Sequence, residues 1–103
     1  MADRQFPRFQ VDYETVVMTK DGNFRGIIDN ISMGGFYLRT SGRLEMGENI
    51  QVDIALKNGH GNVNIITNAT VVRIEEHGIA FRFDMEGHYN YWTLHSYLNQ
   101  INA

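Results

Sequence analysis

Apolar and polar residues alternate along most of the chain, which is the pattern of half-buried β-strands. The clearest example is the stretch in which Ile50, Val52, Ile54 and Leu56 are separated by Gln, Asp and Ala. Turn-forming Gly, Asn and Asp residues separate stretches of this kind. The pattern predicts six strands, at Phe9–Lys20, Phe24–Ile31, Phe36–Arg39, Ile50–Lys57, Val63–Ile74 and Ile79–Asp84.

The segments between these strands carry turn signals. Asp21-Gly22 predicts a tight hairpin, and Asn58 to Gly61 reads as a loop. The pair Gly34-Gly35 interrupts the extended structure, since glycine permits a left-handed or bulged backbone. Most connections are therefore expected to be short and the strands antiparallel.

The spacing changes near the C-terminus. Tyr91, Leu94, Leu98 and Ile101 recur at intervals of three and four, which predicts a helix over residues 87–101 with one apolar face. A helix this short needs tertiary packing to persist, so its apolar face is expected to cover one end or face of the sheet. Six strands and one helix together predict an all-β fold, a closed or nearly closed antiparallel barrel.

Composition narrows the classes of function. The 103 residues fit one domain, and a net charge of −3 argues against a binding surface for nucleic-acid polymers. The chain has no cysteine, which excludes disulfides and thiolate metal sites. It shows neither a signal peptide nor an apolar run long enough to span a membrane. A cytoplasmic protein without membrane insertion is expected.

Two arginines near the N-terminus are the first candidates for ligand chemistry. Arg4 and Arg8 lie on either side of Pro7, and in an extended segment residues four apart point the same way. A guanidinium can bind a phosphate, or the O6 and N7 atoms of guanine, through two hydrogen bonds. By itself, the pair is more typical of solvated arginines at a chain terminus.

The second candidate is the polar segment after the second strand. Asn30 and Ser32 lie two apart and are expected to share one face, with Ile31 in the core. Asn and Ser offer short hydrogen-bonding groups, and Gly35 could let a flat ligand approach the main chain. Taken alone, this segment is more typical of an ordinary turn between two strands.

Taken together, the two segments resemble the paired motifs of the PilZ domain family, the bacterial receptors for cyclic di-GMP. The first motif is Arg4-Gln5-Phe6-Pro7-Arg8, and the second is Asn30-Ile31-Ser32-Met33-Gly34-Gly35. The resemblance extends over nearly the whole chain. It implies a single domain of residues 1–103, with a ligand-binding arm at 1–8, a six-stranded barrel at 9–84 and a helix at 87–101.

The resemblance also implies a function and a site. Cyclic di-GMP is the implied ligand, with no metal and no catalytic residue. Arg4 and Arg8 would contact phosphates and guanine edges, Asn30 and Ser32 a guanine or its sugar-phosphate, and Gly35 would keep the turn open. The arm would be flexible without ligand and would fold over it. A stand-alone receptor of this kind, a monomer or weak dimer, would signal to an unidentified protein partner.

Two positions depart from the most favourable pattern. Asn30 stands where an aspartate is also allowed, and an amide offers guanine one acceptor and one donor instead of two acceptors. Asp29 is not expected to substitute, because neighbouring strand positions face opposite ways. Asp3 places a negative charge beside Arg4 and is expected to weaken binding of a phosphate there.

Three other classes of function are less favoured by the sequence. An adaptor with the PilZ fold could act through protein contacts without nucleotide, and exposed residues among the helix aromatics (Tyr89, Tyr91, Trp92 and Tyr97) could form its contact face. A barrel for single-stranded nucleic acid would need a basic groove, which the acidic balance disfavours. An enzyme is least favoured, because no acid–base constellation is visible. A metal site is not expected either, because the four histidines are scattered and no cysteine supports them.

Overall fold

The computed structural model describes residues 7–58, 61–84 and 88–101 of the chain. All six predicted strands are present, with small shifts at their ends, and Asn58 and Gly61 are paired strand residues instead of parts of a longer loop. The elements are β1 (Phe9–Thr19), β2 (Gly22–Ile31), β3 (Gly35–Arg39), β4 (Asn49–Asn58), β5 (Gly61–Ile74), β6 (Gly78–Asp84) and the helix α1 (His88–Ile101).

The strands form a closed antiparallel barrel in the order β1-β2-β3-β6-β5-β4, which confirms the predicted fold class. Inward-facing apolar residues of all six strands meet in one core. Fully buried side chains from five of the strands are Val17, Ile28, Leu38, Ile54 and Ile65. The barrel therefore has a packed interior, and a ligand of nucleotide size must bind on its outside or at its ends.

Helix α1 packs against the end of the barrel where β1 begins. β1 and β4 pair only from Thr15 to Met18 on the β1 side, and α1 contacts β1 before that stretch. The hydroxyl oxygens of Tyr97 and Tyr13 lie 2.6 Å apart in the core. The Asn90 side-chain amide also donates a hydrogen bond of 3.0 Å to a β5 carbonyl.

The buried face of α1 differs in part from the predicted one. Leu94 and Leu98 are buried as predicted, but Tyr91 is 40% exposed and Tyr97 takes its place in the core. Both choices fit intervals of three and four, and a buried hydroxyl on β1 offers Tyr97 a hydrogen-bond partner. Trp92 is also exposed. The predicted positions at Tyr89 and Ile101 lie outside the described side chains.

The bond between Tyr13 and Tyr97 should stabilise the docking of α1. Burial raises the pKa of Tyr13 well above its usual value, and the hydrogen bond to Tyr97 adds to the rise. Tyr97→Phe would leave the Tyr13 hydroxyl buried without this partner, so we expect the free energy of unfolding to fall by about 1–2 kcal/mol. Urea denaturation measures the change.

The double variant Tyr13→Phe/Tyr97→Phe is the control. Removing both hydroxyls leaves no unsatisfied group, so the double variant should lose less stability than the sum of the two single variants. If the two losses simply add, the hydrogen bond does not contribute to stability as inferred.

Candidate functional site

Arg8 and Asn30 are brought together at the end of the barrel where β1 begins. Gln10 pairs with Asn30 and Phe9 with Ile31, which carries the residue before β1 alongside the last residues of β2. Arg8 is exposed, and its Nη1 donates a hydrogen bond of 2.6 Å to Asn30 Oδ1. The predicted partner Arg4 lies outside the described residues.

The segment after β2 is a tight turn organised by Ser32. The Ser32 N–H donates to the Gly35 carbonyl at 2.8 Å, and the Ser32 hydroxyl accepts from the Gly34 N–H at 3.1 Å. Ser32 is only 8% exposed. Its hydroxyl therefore holds the turn together, as in the ordinary-turn interpretation of this segment, and the ligand contact of Ser32 stays a prediction.

Gly35 has a steric reason to be glycine. An ideal Cβ on Gly35 would overlap the carbonyl oxygen of Phe81 on β6, with which β3 is paired. The glycines with positive φ in the described residues are Gly22 and Gly47, so the left-handed backbone considered for Gly34-Gly35 is not adopted. The close approach of β3 to β6 explains why this residue is a glycine.

A β-bulge places two polar residues of β2 side by side. The β2–β3 pairing shifts between Ile28 and Asn30, and both Ile28 and Ile31 are fully buried. Asp29 and Asn30 between them are both partly exposed, as expected when a bulge breaks the alternation. The expectation that Asp29 faces away from Asn30 is therefore wrong.

Asp29 is held by an arginine of the neighbouring strand. The Arg39 Nε lies 2.9 Å and 3.1 Å from the two Asp29 carboxylate oxygens, and 36% of the Asp29 side chain is exposed. Both residues belong to the same outer face as the Arg8–Asn30 contact. This second contact, between an acid and an arginine, was not singled out from the sequence.

Tyr37 lies on the outer face of β3, next to these two pairs. It pairs directly with Asn30, and it is half-buried. Burial raises the pKa of Tyr37, and the negative charges of Glu75 and Asp29 raise it further. Tyr37 is therefore a neutral hydroxyl that carries no charge into the site.

The sequence did contain a signal for the second pair. Ile28 and Ile31 are three residues apart, whereas two inward strand positions should be two or four apart. Such a break in period, with two polar residues inside it, is typical of a bulge. It would have placed Asp29 on the outer face with Asn30.

The residues that the structure describes contain no group of three or more His, Asp or Glu side chains placed to hold a metal ion. Their helix is too short and too polar to cross a membrane.

Fold and site together define a class: a small closed barrel with an arginine at the start of β1, held beside a polar turn at the end of β2. The family model for the PilZ domain matches residues 2–98. The chain therefore belongs to the PilZ domain family. No curated protein gave a significant match to the sequence.

Solved structures show the same fold. The inhibitor of motility of Bacillus subtilis (MotI/DgrA) superposes with a TM-score of 0.83 at 21% identity, over 99% of this chain and 53% of that one. The MrkH–c-di-GMP complex of K. pneumonia gives 0.83 at 19%, over 98% and 52%. YcgR of Escherichia coli in complex with c-di-GMP gives 0.81 at 18%, over 96% and 46%. The chain spans about half the length of these three proteins.

Proposed function

We propose that this protein is a receptor for cyclic di-GMP, with Arg4, Arg8, Asn30, Ser32 and Gly35 at its ligand site. The observation that carries the proposal is the hydrogen bond between Arg8 and Asn30, which joins the two motifs across 22 residues of sequence. Family membership supports it, as do the related folds of MrkH and YcgR, whose structures contain c-di-GMP. A binding function without catalysis is part of the proposal.

The chemistry of the site suits a nucleotide with phosphates and guanines. Arg8 has a planar set of donors for a phosphate or for guanine O6 and N7. Its contact with Asn30 holds the guanidinium next to the Ser32–Gly35 turn. In the proposed mechanism Arg8 keeps its contact with Asn30 and donates to the ligand through other N–H groups of its guanidinium, and the segment with Arg4 closes over the bound nucleotide.

The closing of this segment changes the surface around the start of β1. A binding step that reorders a segment can be read by another protein, because the ligand favours one arrangement of the surface. The proposed output is a contact with a protein partner in the cytoplasm. The alternative is a PilZ-fold adaptor that makes such contacts without nucleotide.

Calorimetric titration tests the receptor directly. Cyclic di-GMP should give a saturable isotherm with the full chain, whereas cyclic di-AMP and GTP at equal concentrations should not. Cyclic di-AMP keeps the phosphates and replaces guanine, and GTP keeps guanine without the cyclic backbone. If cyclic di-GMP gives no heat up to high micromolar concentration and does not raise the melting temperature, the adaptor alternative is favoured.

A further inference from the structure

We propose that Asp29, the residue before the Asn30 motif position, reads the donor edge of a guanine. The edge in question carries the N1–H and N2–H₂ groups, which both need acceptors. This inference rests on the proposed function, because it names the residue that would select guanine within that site. Arg39 is the positioning residue that holds the Asp29 carboxylate.

The position of Asp29 on β2 supports this role. The bulge between Ile28 and Asn30 turns both Asp29 and Asn30 toward the outer face, while Ile28 and Ile31 fill the core. Asp29 is therefore the immediate neighbour of the residue that binds Arg8. A ligand that contacts Arg8 and Asn30 also lies next to the Asp29 carboxylate.

The hydrogen bond between Asn30 and Arg8 limits what Asn30 can offer a guanine. Arginine has donors only, so the amide oxygen of Asn30 must face Arg8, as the 2.6 Å contact shows. The amide NH₂ group of Asn30 is then the part directed elsewhere, and it can only donate. Two donors on guanine cannot be satisfied by another donor, so Asn30 is poorly suited to this edge.

The Asp29 carboxylate can accept more hydrogen bonds than the ones Arg39 donates to it. A carboxylate accepts through about four lone-pair positions, and Arg39 Nε occupies the side facing β3, at 2.9 Å and 3.1 Å from the two oxygens. The exposed part of the side chain, 36%, is open to a further partner. By contrast, Asp84 is already bonded to Asn49, Thr70 and Arg82.

The experiment compares two ligands that differ by one donor group on each base. Cyclic di-IMP has the same backbone as cyclic di-GMP, but its bases lack the N2 amino group. Asp29→Asn should weaken cyclic di-GMP binding about tenfold, as for the loss of a charge-assisted hydrogen bond. It should weaken cyclic di-IMP binding less, so the preference of the wild type for cyclic di-GMP should shrink.

Asp53→Asn is the matched control, since it makes the same chemical change at a half-buried position on β4. Asp53 accepts a hydrogen bond from Asn64 on β5, and β4 is not adjacent to β2 in the barrel. Affinity for both ligands should be unchanged in this variant. Thermal melts of each variant show whether the barrel is intact.

Asn30→Asp separates the two possible readers of guanine. If Asn30 faced the donor edge, the added carboxylate would tighten cyclic di-GMP binding. If Asp29 faces it, a second carboxylate next to the first adds repulsion and should not tighten binding. This variant gives an answer even if Asp29→Asn does not fold.

The outcomes distinguish this inference from the proposed function. Wild-type binding of cyclic di-GMP with unchanged affinity in Asp29→Asn would overturn the inference and leave the receptor in place. An equal loss for both ligands would also overturn it, because Asp29 would then act through the shape of β2. A wild-type protein that binds neither ligand would overturn the receptor and the inference together.

Discussion

Arg8→Ala should weaken cyclic di-GMP binding by about 100-fold in the proposed receptor. Hydrogen bonds to charged groups contribute about 1.5–3 kcal/mol each, and about 2.8 kcal/mol corresponds to a factor of 100 in affinity. Arg8 lies at the junction of the two motifs, 2.6 Å from Asn30, so its loss removes the guanidinium that is bonded to the second motif. Calorimetry with wild type and variant measures the change.

Two further variants sharpen this test. Arg8→Lys keeps the charge but loses the planar donor geometry, and it should fall between wild type and Arg8→Ala. Arg25→Ala removes the same charge from an exposed position on β2 that pairs with Val16, and it should bind like wild type. Undiminished binding by Arg8→Ala would mean that the nucleotide is held elsewhere on the molecule.

Gly35→Ala should lower the free energy of unfolding by about 3 kcal/mol or more, although it adds only one methyl group. The added methyl group would overlap the Phe81 carbonyl oxygen. Phe81 is buried and its strand pairs on both sides, with β3 and β5, so its backbone cannot move away. For a domain whose total stability is about 5–15 kcal/mol, denaturation curves will resolve this loss.

Gly47→Ala is the matched control for this steric effect. Gly47 has a φ of 80°, but a Cβ there would meet no atom within 4 Å. Gly47→Ala should therefore lose only the free energy needed to hold an alanine in a left-handed backbone, about 1–2 kcal/mol. A Gly35→Ala variant that kept full stability but lost ligand binding would show that the glycine serves the ligand instead of the β3–β6 contact.

The strands were predictable because their signals are local. Alternation over a few residues marks each strand, and Asp21-Gly22 marks the first hairpin, where Thr19 pairs with Gly22. The joining of Arg8 to Asn30 was predictable in outline, since the order of the two motifs and the β1–β2 hairpin place them at the same end.

The remaining features depend on contacts distant in sequence. The constraint on Gly35 comes from Phe81 on another strand, and no local pattern reports it. The choice of Tyr97 over Tyr91 for the core depends on Tyr13, far away on β1. The outward position of Asp29 depends on how β2 is paired on both sides, although the spacing of the flanking isoleucines hinted at it.

The way α1 is docked has a consequence for self-association. β1 pairs with β2 from Phe9 onward but with β4 only from Thr15, so in the described structure the first part of β1 has one edge without a strand partner. Such an edge can pair with another copy of the chain and start aggregation, and natural proteins often cover it with a helix. Through its Tyr97–Tyr13 contact, α1 lies against this part of β1. We therefore expect α1 to hinder another copy of the chain from pairing with this edge.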